Sequence, residues 1–464
     1  MKQLRIMAAV LIGKAVLALS RLWGNQGTVL PGYWARKVYP SILKELSAGV
    51  KKETVIVTGT NGKTTTANII AHILRENGET IVHNAAGANM ITGITAAFVA
   101  ASDWKGRSRY DYALLETDEA NVPLLLEEIS ADLLLITNFF RDQLDRFGEL
   151  DHTIDLIKRA VDGSAIKLIL NADDPLVSCF AQESGCEAYY FSYDANAYDQ
   201  NDSQENREGR YCMVCGAPIK YEFFHYAQLG KYYCPNCGNK NPQADYRASD
   251  LLMRPFVQVS VNGNRIQSNL PGYYNAYNIL AAAALADHLK ITPVIIRQAI
   301  SSFRSTSGRM ESISVGDREC VLTLVKNPAG FNQLLSAFAN DGQEKNLVLI
   351  LNDNPADGRD VSWIWDVEME NIMREDRHIK KIYCAGQRSG DIALRVKYAG
   401  WPQDEISIAG DIKQGIEKSL RDNSELIYIV CTYTALFKTR KILMRLKNSG
   451  YSPKNRYESP LSEH

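Results

Sequence analysis

A glycine-rich turn between a strand pattern and a helix pattern constrains the fold of this chain more than any other feature. Residues 58–66 read TGTNGKTTT, follow the apolar run VIV and open a helical stretch. Glycine lets backbone N–H groups approach phosphate oxygens, and the first turn of a helix adds favourable partial charge. The lysine of such a loop would reach the β- and γ-phosphates, and the next hydroxyl would hold Mg²⁺. We therefore predict an ATP-phosphate site formed by Gly59, Thr60, Asn61, Gly62, Lys63, Thr64 and Thr65.

Strand and helix patterns alternate on both sides of this turn. VIVTG, YALLETD, LLLITN and KLILNADD are typical of strands that end in polar residues, and helical stretches lie between them. That alternation predicts an α/β fold with a mostly parallel sheet, whose ligands bind beyond the carboxyl ends of the strands. A second alternation, with VLTLV, NLVLIL, IKKIYCAG and LIYIVCTY, predicts a separate C-terminal Rossmann-like α/β domain.

The length of 464 residues favours two or three domains. We predict a basic and apolar N-terminal segment at 1–50 and a central P-loop ATPase domain at 51–311. The central domain is expected to carry an insertion at about 205–245, and the C-terminal domain is expected at 312–464. The polar residues 194–211 are interpreted as a linker or flap.

Two CxxC pairs predict a structural zinc site. CMVC at 212–215 and CPNC at 234–237 can each turn two sulfurs toward one point, which together make a tetrahedral thiolate cage for Zn²⁺. The site is expected to be structural because protein fills all four positions; its ligands would be Cys212, Cys215, Cys234 and Cys237. The intervening segment has two lysines among many aromatic residues, so we predict no nucleic acid binding.

The other five cysteines are scattered, which favours a reduced compartment over a disulfide framework. Cys320, Cys384 and Cys431 lie in strand-like runs and are predicted to be core thiols.

The N-terminal segment is strongly basic although the whole chain has a net charge of −1. Residues 1–52 contain nine lysines and arginines and one acid, Glu45. Such a segment could rest on an anionic membrane surface or near an anionic lipid substrate. It could equally be a solvated basic helix packed on the next domain. We predict no transmembrane helix, because Gly13 and Lys14 interrupt the apolar run and roughly 20 residues are needed to span a bilayer.

Several further stretches resemble the Mur ligase family of ATP-dependent enzymes, which build peptidoglycan stem peptides. GTNGKT is the form that the phosphate loop takes in that family. Six other stretches follow in the family's order: LLETDE at 114–119, TNFFRDQLDRFGE at 137–149, NADDP at 171–175, GYYNAYNILAA at 272–282, SGRM at 307–310 and LVKNPAG at 324–330.

The resemblance implies roles for individual residues. Glu116 would help to hold Mg²⁺, Asn275 and Asn278 would meet adenine, and Arg309 would contact phosphate. Asn138, Asp142 and Asp145 match a further family stretch.

Three further positions are compared with the family's metal-site and lysine positions. Gln143 replaces the family's metal-site histidine, and Lys326 replaces another histidine. Lys158 lies near the position of a lysine that is often carbamoylated in the family, and we predict that it is a solvated helix lysine.

Two further departures point to one branch of the family. The four-cysteine ribbon is one, and the short segment before Val55 is the other, since it has no room for the domain that grips a uridine nucleotide. With the DNPADGRD loop at 353–360, these features resemble the MurT branch, the synthetase subunits of lipid II isoglutaminyl synthase.

That resemblance implies ATP-dependent amidation of the α-carboxylate of D-glutamate in the lipid II stem peptide, which gives D-isoglutamine. The ammonia would come from a separate GatD-like glutaminase subunit. The enzyme would be cytoplasmic, and contact with the inner face of the plasma membrane is left open.

The resemblance also implies that an aspartate of the loop reaches the partner and orients its catalytic histidine. We select Asp357 for this catalytic role and predict that it is exposed, with Asp353 and Asp360 as alternates that cap the loop. A metal role is disfavoured because no histidine or fourth acid lies nearby in the sequence.

Two alternatives remain open at this point. One is a Mur-like or folylpolyglutamate-type ligase that acts alone and adds an amino acid. The other is a zinc-ribbon nucleic-acid-binding ATPase, which would need a basic face around residues 212–240.

Overall fold

The structure, a computed structural model, describes residues 1–22, 27–85, 88–107, 109–140, 150–201, 208–253, 256–305, 310–339, 343–370, 378–422 and 424–449. These residues form two compact units, the first ending at Phe303 and the second beginning at Arg304. Both units are α/β, as predicted.

The strands of the first unit form one large sheet and one small hairpin. In chain order they are β1 Val50–Thr58, β2 Ile81–His83, β3 Tyr110–Glu116, β4 Leu133–Ile136, β5 Lys167–Asn171, β6 Ala188–Tyr193, β7 Lys220–Tyr226, β8 Leu229–Tyr233, β9 Tyr246–Leu252, β10 Gln258–Val261 and β11 Asn264–Gln267. The large sheet has the order β11-β10-β9-β6-β5-β4-β1-β3-β2, and β7 pairs with β8 separately.

All neighbouring strands from β9 to β2 in the large sheet are parallel. At the other edge, β10 is antiparallel to both of its neighbours, β9 and β11. β1 lies between β3 and β4. The connections from β1 through β2 to β3 run on one side of β1, and those from β4 to β5 run on the other side, so β1 marks a topological switch point. Such a switch point opens a crevice at the carboxyl ends of parallel strands. The glycine-rich turn follows β1 and therefore lies at this crevice.

Helices cover this sheet. They are α1 Lys2–Leu22, α2 Leu30–Val38, α3 Ile42–Ser47, α4 Lys63–Glu76, α5 Ile91–Ala101, α6 Val122–Glu128, α7 Leu150–Val161, α8 Pro175–Ser178, α9 Phe180–Ser184, α10 Tyr273–His288 and α11 Pro293–Ser302. The three N-terminal helices share one apolar core with α5 and the central strands, where Val10, Leu43, Phe98 and Ile56 are all buried.

Helix α1 corrects the expectation for the N-terminal segment. It is continuous over 21 residues, so Gly13 and Lys14 do not interrupt it. Gly13 allows close packing instead, because a Cβ there would lie 2.7 Å from Cγ1 of Val99. By length and composition α1 could cross a membrane, so the prediction that the apolar run is too short was wrong.

The second unit contains a six-stranded sheet with the order β12-β13-β17-β14-β15-β16, parallel except for the pair β12–β13. Its elements are β12 Glu311–Val315, β13 Arg318–Leu324, α12 Pro328–Ala339, β14 Lys345–Ile350, β15 Ile379–Ala385, α13 Ser389–Tyr398, β16 Ile406–Ile408, α14 Ile412–Arg421, β17 Leu426–Cys431 and α15 Tyr433–Asn448. Cys320, Cys384 and Cys431 are buried in β13, β15 and β17, which confirms the prediction of core thiols. All nine cysteines of the chain are described, and none forms a disulfide.

Candidate functional site

The turn between β1 and α4 is held in one shape by Asn138, which follows β4. The Asn61 N–H donates to Asn138 Oδ1 at 2.9 Å, and Asn138 Nδ2 donates back to the Asn61 carbonyl at 3.1 Å. The Thr60 N–H donates to the Asn138 carbonyl at 2.8 Å. A fixed turn presents its backbone at little further entropic cost when a phosphate binds.

Both glycines of the turn have positive φ, +117° at Gly59 and +87° at Gly62. A Cβ at Gly59 would lie 2.4 Å from Oγ1 of Thr137, and one at Gly62 would lie 2.1 Å from Oδ1 of Asn278. Any other residue would therefore be strained and would clash at either position. Thr60 and Asn61 lie between them, and Thr65 is buried in the first turn of α4.

Lys63 begins α4, and its ammonium group is buried. Nζ forms a 2.9 Å ion pair with Glu119 Oε2 and also donates to the carbonyls of Gly59 and Thr60. Burial alone would lower the pKa of Lys63, but Glu119, Asp118 and Glu116 outweigh it and raise the pKa. The lysine is therefore a fixed positive charge at the helix N-terminus.

Glu119 was missed by the sequence reasoning. Its only sequence signal is its place three residues after Glu116, in LLETDE. The carboxylate pairs with the same ammonium group that is predicted to bind phosphate, so bound phosphate and Glu119 would compete for Lys63.

Thr64 and Glu116, predicted to share a magnesium ion, lie together. Thr64 Oγ1 donates to Glu116 Oε1 at 2.8 Å. The other oxygen, Glu116 Oε2, is buried and accepts no hydrogen bond within the described part of the chain. Asn84 fixes the Glu116 backbone through bonds of 2.7 and 2.9 Å. A hydroxyl and a buried carboxylate oxygen that accepts no hydrogen bond from the described residues fit a hard oxygen-seeking cation such as Mg²⁺.

Asn275 and Asn278, predicted at adenine, lie beside the phosphate turn on the buried first turns of α10. Asn278 Oδ1 accepts from Thr66 Oγ1 at 3.3 Å, and Asn278 Nδ2 donates to Asn275 Oδ1 at 3.1 Å. The structure thus brings the asparagine pair next to the turn, and its contact with a base stays a prediction.

Four further predicted positions cannot be placed, and a fifth, Lys158, differs from its prediction. Arg309, Asp142, Gln143 and Asp145 lie outside the described residues. Lys158 was predicted to be solvated, and this was wrong: it is 8% exposed, and Nζ lies 5.4 Å from the ring centroid of Phe180.

The four predicted zinc ligands converge. All four Sγ atoms lie within 4.8 Å of one another, and the pairs Cys212–Cys237 and Cys215–Cys234 are 3.5 Å apart. Zinc–sulfur bonds of about 2.3 Å would put tetrahedral sulfurs about 3.8 Å apart, which is close to this spacing. The residues therefore fit a four-coordinate Zn²⁺.

Neighbouring side-chain amides favour thiolate at two of the four cysteines, Cys215 and Cys212, whereas the neighbouring thiols raise the pKa of Cys237. Asn236 Nδ2 donates to Cys215 Sγ at 3.5 Å, and Asn239 Nδ2 donates to Cys212 Sγ at 3.6 Å. The bond from Asn236 is the main cause that lowers the pKa of Cys215 to about 6. Gly216 and Gly238 have φ of +71° and +76°, as the tight turn after each CxxC pair requires.

We expect the purified chain to hold about one zinc ion, and Cys215→Ser with Cys237→Ser to hold almost none, because four thiolates make the cage. Plasma mass spectrometry of the protein measures this. Cys186→Ser is the matched control: Cys186 lies outside the cluster and should leave the zinc content unchanged. Another metal at full occupancy in the unsubstituted chain would contradict the zinc assignment.

A buried ionic cluster ties the ribbon to the helix that carries the asparagine pair. His225, on β7, lies 2.6 Å from Asp199 and 3.9 Å from Asp173, and its Nδ1 is 2.8 Å from the Tyr273 hydroxyl on α10. Burial alone would lower the pKa of His225, but Asp199 and Asp173 raise it. Asp199 belongs to the stretch interpreted as a linker, so sequence reasoning missed its role.

The aspartate loop after β14 differs from the prediction in one respect. Asp357 was predicted to be exposed, which was wrong: it is 4% exposed. Its Oδ1 accepts from the Thr434 N–H at 2.6 Å, and its Oδ2 accepts from the Thr434 hydroxyl. The carboxylate therefore joins the loop to the start of α15.

The two alternates have their own partners. Asp353 forms a 3.2 Å ion pair with Arg388. Asp360 is exposed and caps the next turn, accepting from the Ser362 N–H at 2.8 Å and from the Ser362 hydroxyl at 2.9 Å. Asp360 thus makes a capping contact of the kind predicted, whereas Asp353 is held by an ion pair instead of a cap.

Two family models match the sequence. The Mur ligase middle domain matches residues 57–238, and the MurT ligase C-terminal model matches residues 324–436. The first range contains the phosphate turn, Glu116 and the four cysteines, and the second contains the aspartate loop.

The sequence is also similar to individual proteins. The MurT subunit of the glutamine-hydrolysing lipid II isoglutaminyl synthase of Staphylococcus aureus strain COL is 38% identical over 97% of this chain and 100% of that subunit. The subunit of the same name from Streptococcus pneumoniae strain R6 is 37% identical over 92% of this chain and 94% of its own length.

Among solved structures, a pseudomurein peptide ligase type C from Methanothermus fervidus has a TM-score of 0.62 at 24% identity. The match covers 87% of this chain and 80% of that ligase. This likeness bears on the fold alone.

Proposed function

The chain belongs to the family of MurT subunits, a branch of the ATP-dependent Mur ligases, and from this membership we propose that it amidates a carboxylate of lipid II. The substrate group would be the α-carboxylate of D-glutamate in the stem peptide, and the product D-isoglutamine. The observation that carries the proposal is the buried Lys63 at the head of α4, beside the Thr64–Glu116 pair.

The proposed reaction follows from the weakness of a carboxylate as an electrophile. The γ-phosphoryl group of ATP would pass to a carboxylate oxygen, giving an acyl phosphate and ADP. Ammonia would then attack the acyl carbon, the C–O bond to phosphate would break, and the amide and inorganic phosphate would leave.

The protein's part in phosphoryl transfer is mainly positioning and charge neutralisation. Lys63 would stabilise charge on the β- and γ-phosphates, and Gly59 and Gly62 would let the backbone approach them. Arg309 is proposed to contact phosphate as well. Ligases of this family use ATP and Mg²⁺; here Thr64 and Glu116 would hold the ion, which would neutralise phosphate charge.

The chain is similar to proteins that are named as subunits of a glutamine-hydrolysing enzyme, so we propose a partner that supplies ammonia. A GatD-like glutaminase would hydrolyse glutamine, and Asp357 would orient its catalytic histidine. An acid in that role fixes the histidine tautomer and stabilises the imidazolium that forms. In known triads this acid is itself buried, so the burial of Asp357 is compatible with the role.

The chain alone, with Mg-ATP, ammonium and a lipid-linked muropeptide, should convert one acid of the substrate to an amide. No glutaminase is needed, because ammonium replaces its product. Mass spectrometry of the muropeptide measures the change, and isotope-labelled ammonium shows where the nitrogen went.

Omission of ATP is the first control, and Glu116→Gln is the second, because it removes a charge that the metal would need. A substrate that gains the mass of an amino acid, with ammonium inert, would contradict amidation. It would show instead a Mur-like or folylpolyglutamate-type ligase that acts alone.

A further inference from the structure

Helix α1 exposes an apolar face on the side opposite its core contacts. The exposed side chains include Leu4 at 69%, Leu11 at 50% and Leu22 at 81%. Ile12 and Leu19 are also exposed. At about 100° per residue these five side chains lie in one sector of the helix surface. We call Leu4, Leu11, Ile12, Leu19 and Leu22 the α1 stripe. An exposed apolar surface of this length marks a site of protein or membrane contact.

Exposed aromatic residues and lysines lie on segments that contact α1. In α2, which packs on α1, Tyr33 and Trp34 are exposed, and Lys37 Nζ lies 5.0 and 5.6 Å from their ring centroids. Near the start of α1, Trp104 is 55% exposed with Lys105 Nζ 4.8 Å from its ring. Tyrosine and tryptophan are enriched where a protein meets the headgroup region of a bilayer.

The charge of this region favours an anionic occupant. Glu45 is the only acid among residues 1–52, and it pairs with Lys2 at 2.8 Å. Three more basic residues of this range, Arg36, Lys51 and Lys52, pair with acids from other segments, which leaves the charge of Arg5, Lys14, Arg21, Lys37 and Lys44. Arg5 and Arg21 are exposed on the same helix as the stripe. A second copy of the chain would bring the same basic charge against this surface, which costs free energy, whereas an anionic headgroup layer would attract it.

We propose that the α1 stripe, with Tyr33 and Trp34, docks on an anionic lipid bilayer, and that α1 lies in the plane of the interface. The helix would not cross the bilayer, because Ile6, Ala9, Val10 and Gly13 on its other face are packed in the core of the first unit. The role of this docking, access to a lipid-linked substrate, depends on the proposed function, but the docking itself does not.

The test is flotation of the full chain with vesicles. Vesicles of phosphatidylglycerol and phosphatidylcholine should carry the chain, and vesicles of phosphatidylcholine alone should carry about tenfold less. Leu4→Glu with Leu11→Glu should lower binding to the anionic vesicles at least about tenfold, because two charges would enter the apolar layer. Leu394→Glu with Ile408→Glu is the matched control, since both side chains are exposed in the second unit.

The outcomes separate docking from its rivals. Absence of flotation by the unsubstituted chain, or equal loss in the control pair, overturns the proposal. Retention in the vesicles after alkaline extraction overturns it in favour of a spanning helix. Unchanged vesicle binding with a smaller assembly mass for Leu4→Glu, Leu11→Glu overturns it in favour of a second copy.

Amidation of a lipid-free muropeptide distinguishes this proposal from the proposed function. The stripe variant should amidate that soluble substrate at the unsubstituted rate, because the stripe is remote from the phosphate turn in the sequence and in its contacts. If the unsubstituted chain binds vesicles but amidates neither substrate, the proposed function fails while the docking proposal stands.

Discussion

Lys63→Ala should lower ATP-dependent amidation at least about 10³-fold, because it removes a preorganised charge from the position of the transferred phosphoryl group. The ammonium group is buried and held by the Gly59 and Thr60 carbonyls, so a surface cation could not easily replace it. ADP release with muropeptide and ammonium measures the loss. Lys63→Arg tests whether charge alone suffices, and we expect it to recover little activity because Arg differs in shape.

Glu119 supplies the control for this substitution. Lys63→Ala removes one ion-pair partner of the largely buried Glu119 carboxylate, whose side chain is 13% exposed, and breaking a buried pair can cost up to about 3–5 kcal/mol of stability, so a loss of folding could imitate a loss of chemistry. Lys63→Ala with Glu119→Ala removes both charges and should restore the melting temperature without restoring turnover. Recovery of turnover in this double variant would contradict the phosphate role of Lys63.

The parallel sheets were predictable because strand and turn signals are local. An apolar run such as VIV followed by TGTNG sets both the end of β1 and the start of α4 within nine residues. The pair Thr64–Glu116 was found because a family motif names each member. The four cysteines were found because their doubled spacing is specific for a tetrahedral cage.

The errors concern contacts between residues that are distant in the sequence. Gly13 and Lys14 suggested a break in α1, but a tertiary contact with Val99 makes glycine suitable inside that helix. Lys158 belongs to an amphipathic pattern that suggests solvent, yet Phe180 covers it. Helix propensity and periodicity are weak where packing against another element decides the outcome.

The residues that the sequence did not reveal also depend on partners distant in the sequence. Nothing near Glu119 indicates Lys63, which precedes it by 56 positions. The polar stretch around Asp199 has the composition of a linker, although His225 gives it a buried partner. A buried charge becomes plausible only when its counter-charge is known, and the sequence alone does not give that pairing.

Asp357→Asn should abolish glutamine-driven amidation by the assembled enzyme and leave ammonium-driven amidation within about threefold. The corresponding change in a serine protease triad lowers turnover about 10⁴-fold, because the amide holds the wrong histidine tautomer. Ammonium bypasses the glutaminase, so the synthetase half should be unaffected. Amide production from each nitrogen source, measured on the same preparation, gives the ratio that tests the assignment.

The contacts of Asp357 set the opposing expectation. Asparagine can still accept from the Thr434 N–H, but its amide nitrogen cannot accept from the Thr434 hydroxyl or from the Asn354 N–H, which both donate to Oδ2 of Asp357. Thr434→Val is the control for loosening of the loop, because it keeps the carboxylate and removes the hydroxyl that donates to Oδ2 and accepts from Asn352 Nδ2 at 3.1 Å and Asn354 Nδ2 at 2.8 Å. Any effect of Thr434→Val should be equal for the two nitrogen sources, whereas that of Asp357→Asn should fall mainly on glutamine. Equal loss with glutamine and ammonium in Asp357→Asn would mean that the carboxylate only holds the loop. Asp360, the exposed alternate, would then be the residue to test, because a partner could reach it without rearranging the loop.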